Sequence, residues 1–242
     1  MRAFFALPLL TACSLTDLSD LRVDASTADA DAASLGFCAS LTTPAALCAD
    51  FDEDASVDAG FTSVVATVGA GTVAFDPAAS FSSPRSARTS LAANTPGAPQ
   101  AYLQYDVTGA PTIVHVEAEI DPLTLSPSKL VDVLDVSQSN VRLRLYMTTT
   151  QTVAQEEQLP AYTDYYGMPA PDFGHWHRLA IDLTLGASAK VVISEDGLPI
   201  VQKQLVYPWS KAPVSIAFGV YADNSANEAL AVDYDDVLVT AQ

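Results

Sequence analysis

One run of the chain sets ionisable and apolar residues in strict alternation: Val114-His115-Val116-Glu117-Ala118-Glu119-Ile120-Asp121. In an extended strand successive side chains point to opposite faces, so His115, Glu117, Glu119 and Asp121 share one face. Two carboxylates about 5–5.5 Å apart can act as acid/base and nucleophile in retaining glycoside hydrolysis. Glu117, Glu119 and Asp121 are therefore the candidate catalytic row. The following strand presents Arg142, Arg144 and Tyr146 on one face. Pairing of these arginines with Glu117 and Glu119 across a sheet would make a structural ladder that holds both carboxylates ionised, which is wrong for a general acid.

Other routes to catalysis lack their residues. No serine sits in a Gly-x-Ser-x-Gly turn, and no His-Glu-x-x-His run is present for zinc. His175 and His177 flank Trp176, so the two histidines share a strand face and could chelate a metal, or stand as plain surface residues. Aromatic rings gather in two stretches. Tyr162, Tyr165, Tyr166 and Phe173 lie among Pro160, Gly167, Pro169 and Pro171, and Tyr207-Pro208-Trp209 forms a second group. Exposed rings offer flat apolar faces on which sugars stack, with polar tips for hydrogen bonds. Tyr162, Tyr165, Tyr166 and Trp209 are the candidate ligand-binding residues. The alternative is that the same rings cover one end of the core.

Acidic residues cluster twice. Asp50, Asp52, Glu53 and Asp54 follow Cys48, and Asp233, Asp235 and Asp236 lie near the C-terminus. Alternation with Val237 and Val239 turns Asp235 toward the core, where a carboxylate needs hydrogen bonds, an arginine or a cation. Calcium takes six to eight oxygen ligands, and Asp52, Glu53 and Asp235 are the candidates to hold it. Otherwise Asp235 caps backbone amides and the rest are solvated.

The elements that would position these residues are strands. Period-2 alternation predicts strands over 72–76, 86–92, 102–107, 112–121, 130–136 and 141–149, then over 175–185, 190–193, 200–205, 214–221 and 230–240. Glu195-Asp196-Gly197 is a hairpin turn, since Asp-Gly tolerates positive φ at both central positions. Fifteen prolines and no strong helical period add many turns. The predicted fold class is all-β, a two-sheet antiparallel sandwich.

Eleven basic residues against 29 acidic ones give a formal net charge of −18. Phosphate backbones are held through Lys and Arg, so nucleic acid is excluded as a partner class. The same charge disfavours anionic lipid and keeps an exported protein soluble. Met1-Arg2 followed by the apolar 3–10 is too short to span a bilayer and reads as an export signal. Residues 14–34, rich in Asp, Ala, Ser and Thr, cannot bury enough apolar surface to order themselves. The expected layout is a signal peptide over 1–12, a flexible tether over 13–35 and one sandwich domain over 36–242. Cys38 and Cys48 form an isolated pair, expected to be a disulfide in an oxidising compartment and to contribute roughly 2–3 kcal/mol.

Two resemblances refine this reading. Leu10-Thr11-Ala12-Cys13 resembles the lipobox of bacterial lipoproteins, which implies cleavage before Cys13, its lipidation, and membrane attachment through that anchor alone. Trp176-His177-Arg178-Leu179-Ala180-Ile181-Asp182-Leu183, the hairpin from Val191 to Ile200, Phe218-Gly219-Val220 and the final Val232-Asp233-Tyr234-Asp235-Asp236-Val237-Leu238-Val239 resemble laminin-G-like domains of the concanavalin A-like jelly-roll superfamily. That resemblance implies a jelly roll whose first and last strands are neighbours, which would bring the two acidic clusters together where many related domains hold calcium. Laminarinase-like members carry the row as E-x-D-x-x-E or E-x-D-x-E, whereas this chain has E-x-E-x-D, a departure at the middle and last positions. The function expected is a lipid-anchored, non-catalytic envelope module recognising glycan or an extracellular protein, with a divergent glycoside hydrolase as the alternative.

Overall fold

The computed structural model describes residues 36–242 except 53, 128–129, 167–171 and 223–225. The expected signal peptide and tether, with Cys13, lie outside the described residues, as does Glu53. Among the described residues a single turn of helix, Phe37–Ser40, precedes fifteen strands. These are β1 (Leu47–Ala49), β2 (Ser63–Ala66), β3 (Gly71–Asp76), β4 (Ser86–Leu91), β5 (Gln100–Val107), β6 (Ile113–Thr124), β7 (Val131–Gln138) and β8 (Val141–Met147). They continue as β9 (Thr152–Gln158), β10 (Ala161–Tyr166), β11 (His177–Thr184), β12 (Lys190–Glu195), β13 (Leu198–Gln204), β14 (Val214–Tyr221) and β15 (Leu230–Ala241).

They form two antiparallel sheets, as the alternation predicts. One runs β13-β12-β11-β6-β15-β4-β3 with β1 added to β15, and the other runs β10-β9-β8-β7-β14-β5-β2. Inward rows of Val114, Val116, Leu179, Ile181, Val191 and Ile193 on the first sheet meet Leu103, Leu134, Val136, Leu143, Ile216 and Phe218 on the second. Each of these is nearly or fully excluded from water. Burying one such side chain contributes about 1.5–3 kcal/mol. The first and last strands are neighbours: Leu47, Cys48 and Ala49 pair with Val239, Leu238 and Val237. Cys38 and Cys48 are joined by a disulfide that ties the chain to this ladder. The bond suits an oxidising, extracellular setting. No helix among the described residues is long and apolar enough to cross a membrane.

Two irregularities shape the second sheet. The register of β7 slips between Asp132 and Leu134, leaving Val133 as an extra residue. Beside it, β14 slips between Phe218 and Tyr221. Gly219 lies in that slip, where a Cβ would fall 2.2 Å from the Ala101 carbonyl oxygen and 2.4 Å from the Tyr102 Cβ. Only glycine lets β5 come this close.

Candidate glycan-binding groove and the residues around it

A groove of about 170 Å³ lies on the outer face of the second sheet, between β5, β14, β7 and β8. Its floor is polar because alternation turns Gln100, Tyr102, Gln104, Arg142, Arg144 and Tyr221 outward while their neighbours enter the core. Asp132 and Asp135 are three residues apart and would face opposite ways in a regular strand. The extra residue at Val133 returns them to one face, and both reach Arg144, at 3.4 and 3.5 Å. Glu157 of β9 lies 3.6 Å from the same guanidinium. Arg142 stands 3.3 Å from Asp135. Arg144 also hydrogen-bonds the Tyr146 hydroxyl and lies 5.1 Å from the centre of the Tyr221 ring.

The electrostatics follow from this packing. Burial works against the Arg144 cation, but Asp132, Tyr146 and Asp135 outweigh it, and its pKa is raised. Burial pushes the Asp135 carboxyl up while Arg142 and Arg144 pull it back. Burial, then Asp135, also raises the Tyr102 phenol, which stays protonated and can donate. Two guanidinium charges thus meet three carboxylates on one surface. Such a surface offers hydrogen bonds and aromatic faces to an uncharged ligand, but no excess positive charge to a polyanion.

The carboxylate row lies on the other sheet. Glu117 and Glu119 pair in register with Ala180 and Arg178 of β11, on the solvent face. Arg142 and Arg144 belong to the opposite sheet, so the expected pairing with Glu117 and Glu119 is replaced. Arg178 takes that place, 2.6 Å from Glu119 and 3.7 Å from Glu117. Glu117 also meets His115 at 3.7 Å, and His115 lies 2.8 Å from Asp182. The nearby His115 lowers the Glu117 pKa, whereas burial raises Glu119 against the pull of Arg178. Asp121 is 5 % exposed, and burial raises it too.

The aromatic candidates divide. Tyr162 is exposed on β10. Tyr165 and Trp209 are buried, at 9 % and 2 % exposure, so the expectation of open stacking rings is corrected for both. The reason is Glu156, which is fully buried beneath them. Its oxygens accept from the Tyr165 hydroxyl at 2.7 Å, the Val206 and Tyr207 amides at 2.7 and 2.8 Å, and the Trp209 Nε1 at 3.1 Å. The polar tips that would have bound a sugar close the sandwich end instead. The Tyr166 side chain and residues 167–171 lie outside the described residues.

The acidic clusters do approach. Asp235 faces outward rather than into the core, because β15 slips in register between Asp235 and Leu238. Asp236, at the slip, takes the left-handed φ of 46°. A loop covers Asp235 and leaves it fully buried. Its Oδ2 accepts from the Phe81 and Ser82 amides at 2.9 and 3.1 Å, and its Oδ1 accepts from the Asp236 amide at 3.0 Å. Ser82 donates to Asp236 at 2.9 Å, and the Arg85 amide donates to Asp52 at 3.4 Å. Burial, then Asp236, raises the Asp235 pKa to about 7, and burial raises Asp236 to about 6. Asp50 and Asp52 add to the negative field on Asp236. Asp235 Oδ2 is thus filled by two amides, and the carboxylates of Asp52, Asp235 and Asp236 gather around Ser82.

The groove was the feature least visible in the sequence. Arg142, Arg144 and Tyr146 stood out as a row, but Tyr102, Asp132, Asp135 and Tyr221 join them only through the slips in β7 and β14. The one advance signal was Gly219 inside an otherwise apolar strand.

No family model matches the chain, and no curated protein matches it by sequence. Solved structures do share its fold. The cellulose-induced protein Cip1 superposes with a TM-score of 0.63 at 14% identity, covering 81% of this chain and 97% of that one. The endo-β-1,4-glucuronan lyase of the fungus Trichoderma reesei gives 0.62 at 13% identity, over 82% and 96%. A carbohydrate esterase from the Shiga toxin-encoding bacteriophage phi24B gives 0.58 at 13% identity, over 81% and 97%. These chains share a β-sandwich jelly roll with this protein.

Proposed function

We propose that the chain is an exported, lipid-anchored module that binds an uncharged glycan in the groove of the second sheet without cleaving it. The observation that carries this reading is the groove floor itself, where Tyr102, Tyr221, Gln100 and Gln104 stand beside arginines already matched by Asp132, Asp135 and Glu157. Tyrosine faces and amides suit sugar rings and hydroxyls. The fold is shared with proteins whose names place them in carbohydrate chemistry. Glu117 and Glu119 lie on the other sheet, engaged with Arg178 and His115. The acidic surface and the disulfide agree with life outside the cytoplasm.

The test is binding of the full chain to immobilised neutral β-glucan, polyglucuronate and alginate. Preference for the neutral polymer, weakened at least tenfold in Tyr102→Ala, supports the reading. Tighter binding to either polyuronate would overturn it, and reducing-sugar release from the β-glucan would overturn its non-catalytic part.

A structural calcium ion is part of the same proposal, held by Asp52, Glu53 and Asp235. What supports it is the concentration of carboxylates around Ser82. An ion bound only by the native state raises its stability. Melting with EDTA and then with excess Ca²⁺ should lower and restore the midpoint; an unmoved midpoint would remove the ion.

A further inference from the structure

Away from both the groove and the Ser82 region, the edge where β11 meets β12 gathers one imidazole and two carboxylates. His177 opens β11, Glu195 closes β12, and Asp196 begins the turn to β13. One potential ligand atom from each lies within 4.8 Å of the other two. The His177 Nδ1 is 3.1 Å from the Asp196 Oδ2 and 3.7 Å from the Glu195 Oε1. Zinc bonds to nitrogen and oxygen of about 2.0–2.2 Å place neighbouring tetrahedral ligands about 3.3–3.6 Å apart. The observed separations bracket that spacing.

The surroundings orient the same atoms. The His177 Nε2 lies 3.3 Å from the Asp172 carbonyl oxygen, so a proton on Nε2 points there and the Nδ1 lone pair faces the carboxylates. An outer hydrogen bond of this kind is what fixes the tautomer of a metal-bound histidine. The Asp196 Oδ1 accepts from the Arg178 amide at 2.9 Å, which leaves Oδ2 turned to His177. A separate observation points to a cation. Glu195 is 8 % exposed, and its Oε2 is buried without a hydrogen-bond partner. A buried carboxylate oxygen left unmatched is costly, and an ion would relieve it.

We propose that His177, Glu195 and Asp196 form a site for a divalent transition metal, Zn²⁺ foremost. One imidazole and two carboxylates suit zinc better than calcium, which prefers an all-oxygen shell of higher number. Three protein ligands leave a fourth position for water or for a donor atom of a bound partner.

The experiment is titration of the full chain with Zn²⁺ against a chromophoric chelator at neutral pH, with Co²⁺ as a spectroscopic substitute. One equivalent should bind, and Co²⁺ should give the intense visible absorption of a tetrahedral site. His177→Ala should weaken binding at least 100-fold and the isosteric Glu195→Gln at least tenfold. His175→Ala should leave binding unchanged. Circular dichroism checks that each variant is folded; should His177→Ala fail, Glu195→Gln carries the test. Absence of Zn²⁺ binding by the wild type, or equal binding by wild type and Glu195→Gln, would overturn the proposal.

Discussion

The Tyr234 hydroxyl, on the inner face of the first sheet, donates to the Val133 carbonyl of the second sheet at 2.7 Å. Val133 is the extra residue of β7, so its carbonyl falls where the strand ladder is interrupted. The Gly219 carbonyl, in the neighbouring slip of β14, is 3.2 Å from the same hydroxyl. Burial pushes the Tyr234 phenol well up, so it remains a donor at any ordinary pH. One side chain thus stabilises, from below, the two irregularities that shape the groove.

Tyr234→Phe keeps the ring and removes the donor. A buried carbonyl left unmatched costs about 1–3 kcal/mol, and the variant should lose that much stability in urea unfolding. Glycan affinity should fall with it, because Asp132 and Tyr221 flank the slips. Unchanged stability would show that water replaces the hydroxyl.

Gly219→Ala tests the close approach of β5 and β14 directly. A methyl group there meets the Ala101 carbonyl and the Tyr102 Cβ at distances no real contact shows. Strand separation or local unfolding should follow, with a loss on the order of 2–4 kcal/mol. Thermal melting measures it, and a variant as stable as the wild type would mean that the strands part without cost.

Glu156→Gln replaces an acceptor of four donors with a group that can accept at only one atom. Charge-assisted hydrogen bonds contribute about 1.5–3 kcal/mol each, and with partial retention the net loss should be about 3 kcal/mol. The Trp209 fluorescence should also shift as the indole gains water. An unaltered spectrum and midpoint would show that Glu156 is not the centre of that cluster.

His115, Glu117 and Asp182 give a pH signature. The contact with Glu117 raises the His115 pKa above its ordinary 6.5, with Asp182 adding to it against burial, and the same contact lowers Glu117 below 4.5. A raised histidine contributes stability that is full below 6.5 and is lost as pH rises through the folded value. A lowered carboxylate contributes above 4.5 and is lost as pH falls through its folded value. The stability gap between wild type and His115→Gln should therefore be greatest between these two values and shrink toward alkaline pH. A gap that does not change with pH in urea unfolding would refute the coupling.

The fold was legible in the sequence because most strands have one wet face. Rows such as Leu179, Ile181 and Leu183 alternate with Arg178, Ala180 and Asp182, and period 2 exposes them at once. β9 hid because Glu156 points into the core and Glu157 points out, so charge stands on both faces and the alternation fails. β10 hid for a related reason: Tyr165 looks like a loop residue until its hydroxyl finds Glu156. Asp235 shows the limit most clearly. Counting back from Val237 and Val239 places it in the core, but the slip at Asp236 reverses the phase. A period-2 rule holds only between bulges, and the groove is built from bulges.

The Cys38–Cys48 bond also sets the mechanics of the fold. Tension reaching residue 36 passes through Cys38 and its sulfur into Cys48, the middle of β1, so that residues 39–47 bear almost none of it. On either side of Cys48, Leu47 and Ala49 are buried and laddered to Val239 and Val237. A pull from the N-terminal side therefore enters β1 at its middle residue rather than at its free end. The strand that closes the chain serves as the backing for the strand that opens it. Two sulfurs and three residue pairs thus carry a load applied ahead of residue 36 into the first sheet.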